Sequence, residues 1–71
     1  MDYDFWLKFY KNWEVEQLVS EIDTCHLYQQ GQVRLALSNQ KNQLAHIQQI
    51  IQSQERVTII VQAIMEKLKN D

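Results

Sequence analysis

Asp23, Cys25, His26 and His46 are the side chains of this 71-residue chain best suited to holding a metal ion. Cys25 with His46 is the pair that could serve as nucleophile and base. Their spacing argues against both uses. Cys25 and His26 are adjacent, and neighbours on a helix point about 100° apart, so they suit a single ion poorly. Neither a C-x-x-C nor an H-x-x-x-H spacing occurs. Glu14 and Glu16, two apart, lie on different sides of a helix. Gly31 is the single glycine, so there is no glycine-rich loop to cradle a phosphate. The expectation is a non-enzyme with no catalytic residue, no metal and no cofactor.

The elements that must position these side chains are helices. The chain has no proline, one glycine and eleven glutamines among many leucines and isoleucines. Such a composition lacks turn punctuation and favours long helices. A single small domain of this length is marginal alone and usually needs a staple. Cys25 is the lone cysteine, which rules out a disulfide within the chain and fits a reducing, cytoplasmic setting. Self-association is the staple that remains. Asp2 and Asp4 stand where a secretory leader would be basic, so no leader is expected. No apolar run reaches the roughly 18 residues of a membrane span.

The net charge of −2 is unevenly divided. Residues 1–30 carry six acids against two lysines, a net of −4, and residues 31–71 carry five bases against three acids, a net of +2. Opposite signs on either side of Gly31 favour pairing of the two halves, weakly.

Apolar residues recur at helical spacing from Val15 to Leu68. Positions 33, 37, 40, 44, 47, 51, 54, 58, 61, 65 and 68 alternate steps of three and four, a coiled-coil-like seam interrupted by Gln40, Gln54 and Thr58. The phase runs unbroken across Gly31, so periodicity leaves three arrangements open. The chain could turn at Gly31, turn in the polar Ser38–Asn42 stretch, or form one long helix. The preferred reading is a turn at Gly31, because glycine is favoured just past a helix end. It gives an all-α fold in a single domain spanning 1–71: a short aromatic helix over about 3–12, a helix over about 13–30, a turn at Gly31 and a helix over about 32–69. Two such antiparallel hairpins would assemble into a homodimeric four-helix bundle or a higher oligomer.

The segment "RVTIIVQAIM" is β-branched, but no second strand is available to pair with it. As a helix it is apolar nearly all round and must be covered on most sides. Ile60, Ile64, Met65 and Leu68 are the expected self-association residues.

Six of the seven aromatic residues fall within the first thirteen positions. Phe5, Trp6, Phe9, Tyr10 and Trp13 share one helical face, nearly opposite the Val15–Ile22 stripe. One straight helix cannot bury both, so a break near Asn12 is expected, with Asn12 as N-cap of the next helix and Asp2 or Asp4 capping the first. The aromatic face is either core or a docking surface, and Trp6, Phe9, Tyr10 and Trp13 are the candidates for binding a protein partner. Its aspartates speak against a membrane surface.

Together these features suggest a small adaptor, regulator or inhibitor that docks on another protein as a homo-oligomer. One alternative is a protein that sequesters a nucleotide-type ligand between protomers, using the aromatic rings with Arg34 or Arg56. Another is a Rop-like RNA-binding helical bundle using Arg34, Lys41, Arg56, Lys67 and Lys69. The net negative charge disfavours nucleic acid.

Overall fold

The computed structural model describes residues 2–69. It consists of α1 (Tyr3–Lys11), α2 (Val15–Ser38), a single 3-10 turn (Gln40–Asn42) and α3 (Gln43–Lys69), with no strand among the described residues.

Asp2 caps α1: its carboxylate accepts the backbone N–H of Phe5 at 3.2 Å. The chain breaks after Lys11. Asn12 closes α1 rather than opening α2: its N–H donates to Phe9 O at 3.3 Å, the Trp13 N–H donates to Tyr10 O at 3.0 Å, and the Asn12 side-chain amide donates to Lys8 O at 3.3 Å. Glu14 takes the N-cap position of α2, and its N–H donates to the side chain of Gln17 at 3.0 Å, satisfying one orphan donor.

The turn lies at Asn39, not at Gly31. Helix α2 continues through Gly31, whose φ is negative, and ends where Asn39 adopts an extended conformation with its N–H on Leu35 O at 2.9 Å. Ser38 and Asn39 supply side chains that compete with helical backbone bonding, and Ser38 Oγ bonds Leu35 O. Gln43 reaches back to Ala36 O at 3.0 Å. The deciding factor is arm length. A turn at Gly31 would leave the second arm overhanging a short first one. The turn at Asn39 yields helices of 24 and 27 residues that match along their length. The packing gained outweighs roughly 1 kcal/mol of glycine penalty inside α2.

That penalty makes a prediction. A Cβ added at Gly31 meets nothing within 4 Å. Gly31→Ala should therefore stabilise the protein by about 0.5–1 kcal/mol, raising Tm by roughly 3–6 °C. A lower Tm in a thermal melt would place Gly31 at a turn instead.

Helices α2 and α3 run antiparallel, tied by His46 Nδ1 and Gln32 Oε1 at 2.7 Å, Tyr28 Oη donating to Gln49 at 3.0 Å, and Gln29 donating to Ser53 at 3.2 Å. Helix α1 folds back along the C-terminal half of α3 and runs parallel to it. Arg56 lies over the Trp6 ring at 5.4 Å, Lys11 pairs with Glu66 at 3.3 Å, and Lys67 donates to Lys11 O at 3.1 Å. The ion pair is part-exposed, so it contributes about 0–1 kcal/mol. The core therefore sits at one end of the molecule, where three helices meet. Tyr10, Leu18, Cys25, Val57, Ile59, Ile60 and Ala63 are buried there, with Trp6, Leu7, Trp13, Ile22 and Ile64 packed around them.

Candidate functional site

The aromatic helix divides between interior and surface. Tyr10 is only 3 % exposed and packs edge-on against Trp13, with centroids 5.2 Å apart, and at 5.9 Å from Trp6. Trp6 and Trp13 are half-buried, whereas Phe9 is exposed and touches both rings from outside at 5.4 and 5.7 Å. Tyr10 is thus a core residue and leaves the set of docking candidates. Phe5, outside that set, is exposed and extends the outer aromatic face, whereas Tyr3, also exposed, lies on the α3 side of α1 beside Glu55, Thr58 and Ile59. The place of Phe5 was legible in the sequence, where it shares a helical face with Trp6, Phe9 and Trp13.

The candidate chemical residues are not brought together. Cys25 is buried in the core, His46 is engaged by Gln32, and Asp23 and His26 are exposed. Among the described residues no three metal-ligating groups gather. Burial pushes the Cys25 thiol above its ordinary value of 9.0; Glu21 adds to the rise, while the Ser53 hydrogen bond and Arg56 oppose it. Burial likewise raises the Tyr10 phenol above 10.0, against an opposing effect of Arg56. Both groups therefore hold their protons more tightly when folded. Stability from these groups is complete below pH 9, where both are protonated in the folded and the unfolded chain. It falls as pH rises from about 9 upward, because the unfolded chain ionises first. Tm followed by circular dichroism from pH 7 to 11 should drop across that window, and Tyr10→Phe should remove the phenol's share of the drop. A flat profile would contradict the burial of both groups.

An open cleft of about 700 Å³ lies between α2 and α3 beside Trp6. Arg56, Tyr28 and Cys25 line it, but so do Glu21 and Glu55. Two carboxylates beside one guanidinium that already rests on Trp6 oppose a phosphate there. Arg34 does not line this cleft. The proposed basic stripe is also dispersed, since Arg56 is engaged by Trp6 and Lys67 by the Lys11 carbonyl.

Helix α3 carries two apolar stripes. His46, Ile50, Ser53, Val57, Ile60 and Ile64 alternate steps of four and three and face α2 and the core. One residue further on, about 100° around the helix, runs the seam read in the sequence: 44, 47, 51, 54, 58, 61, 65 and 68. Its apolar members Leu44, Ile47, Ile51, Val61, Met65 and Leu68 are all between 40 % and 68 % exposed. Val33 and Leu37 of α2 are exposed as well. Helix α1 covers the other side of α3, near Arg56, Ile59 and Glu66. Of the three apolar sides of "RVTIIVQAIM", α2 and α1 cover two and the seam side stays exposed.

This arrangement corrects the expected self-association set. Ile60 is wholly buried and presents no surface to another chain, and Ile64 is half-buried with its packing directed at the core. Met65 and Leu68 are exposed and belong to the free stripe, together with Leu44, Ile47, Ile51 and Val61. No helix of the described residues is long and apolar enough to cross a membrane. No family model matches the chain, and comparison with curated proteins and with solved structures finds no match either.

Proposed function

We propose that this chain is a non-catalytic, self-associating helical protein that acts by docking, as an adaptor, regulator or inhibitor. The observation that carries the reading is the free stripe of α3. It runs the length of the helix at heptad spacing, and its apolar members are all exposed in the single chain. Contiguous apolar surface beyond a few hundred Å² marks an interaction site. A strip about 36 Å long and about 20 Å wide, across α3 and the adjoining edge of α2, offers roughly 700 Å². That approaches the roughly 800 Å² per partner of a standard interface. A second copy of the chain is the occupant that the strip itself suits, and two such helical pairs make a four-helix bundle.

The outer face of α1 is then the surface left for a target protein. Phe5 and Phe9 are exposed there, with the half-buried Trp6 and Trp13 beside them. Exposed Asp2 and Asp4 adjoin it, so the complementary segment carries Lys or Arg next to apolar groups. Sedimentation of the wild type at micromolar concentration tests the reading: a mass of at least twice 8.6 kDa is expected. A compact, folded single chain at that concentration overturns it.

A further inference from the structure

We infer that two copies pair antiparallel through α3, about a two-fold axis at the level of Arg56. This rests on the self-association reading and adds its geometry. The free stripe reads Leu44, Ile47, Ile51, Gln54, Thr58, Val61, Met65, Leu68: three apolar, two polar, three apolar. In antiparallel pairing centred on residue 56, Leu44 meets Leu68 of the second copy, Ile47 meets Met65, and Ile51 meets Val61. Gln54 meets Thr58. Each apolar layer is matched, and the two polar residues fall together next to the axis.

The hydrogen-bonding state of the polar pair fits this register. Gln54 Oε1 already accepts from Gln29 Nε2 at 3.2 Å, which leaves the Gln54 amide N–H groups to donate. Thr58 Oγ1 spends its proton on Gln54 O at 3.1 Å, which leaves its lone pairs to accept. Gln54 of one copy can therefore donate to Thr58 of the other, twice by symmetry. A parallel in-register pair would set Gln54 against Gln54 and Thr58 against Thr58. The two threonine hydroxyls would then face each other with both protons already committed. A polar layer of this kind fixes orientation and register in helical assemblies. The same axis brings the two exposed Glu55 side chains toward each other, a small opposing term beside six apolar side chains covered per copy.

Cross-linking reads the orientation directly. Leu44→Cys and Leu68→Cys alter exposed positions outside the core, and the wild type with its buried Cys25 sets the background. An isotope-labelled Leu44→Cys chain is mixed with an unlabelled Leu68→Cys chain and treated with a short bismaleimide. The expected product is the mixed 44–68 dimer, with each variant alone uncross-linked. In that geometry the two residues 44 stand about 36 Å apart. Efficient 44–44 and 68–68 products establish a parallel pair and overturn the inference while self-association stands. A dimeric mass without any of these products overturns the register. Single-chain mass for the uncross-linked wild type removes the self-association reading itself.

Discussion

Ile51→Asp should convert the wild-type assembly to single chains at micromolar concentration. Ile51 is more than half exposed in one protomer, so the substitution leaves the core of that protomer intact. In the proposed antiparallel pair it would sit in an apolar layer opposite Val61 of the second copy, and by symmetry each dimer would receive two carboxylates. Burying an unpaired charge costs several kcal/mol, so the dissociation constant should rise by at least about 1,000-fold. Gln52→Asp, one residue on and facing the cleft beside α1, is the matched control and should leave the mass unchanged. Analytical ultracentrifugation of the three proteins separates the cases. A dimeric Ile51→Asp chain would show that the α3 stripe is not the interface.

Truncating the centre of the three-helix core should have a comparable effect on folding. Leu18 and Ile60 are 0 % exposed and are the largest fully buried side chains. Each large-to-small change there removes about 2–5 kcal/mol, combining the lost transfer energy with the cavity left behind. A domain of this length holds roughly 4–11 kcal/mol in total. Leu18→Ala or Ile60→Ala should therefore lower the urea midpoint by a third or more, and both changes together should leave the chain largely unfolded at 37 °C. Met65→Ala, on the free stripe, is expected to weaken assembly while sparing the core. Loss of less than 1 kcal/mol for Ile60→Ala would mean that α1 and α2 do not close over α3 as described.

The contrast between Ile60 and Met65 shows where sequence reasoning ran out. Both belong to an apolar run that wraps the helix, and both lie on a three-four spacing. Hydropathy records that each must be covered but not by which neighbour. Tyr10 and Phe9 present the same difficulty on α1, where a rotation of about 100° between adjacent residues separates a core ring from a surface ring. An antiparallel register about Gly31, with residue 31−k opposite 31+k, would also set Trp6 beside Arg56. In the structure α1 brings Trp6 there by folding back along α3.

By itself the sequence determined the helical class, the break near Asn12 with Asp2 or Asp4 to cap α1, and the three-four spacing of the apolar seam along α3 from Leu44 to Leu68. These follow from local terms: propensity, capping and the 3.6-residue period act within a few residues of each position. Tertiary structure alone decided that α2 runs on through Gly31, that α3 meets α2 through the stripe containing Val57 and Ile60, and that the heptad seam is left facing outward. Those outcomes depend on the summed packing of whole arms against one another. A glycine penalty of about 1 kcal/mol is small beside the burial of a matched pair of helices.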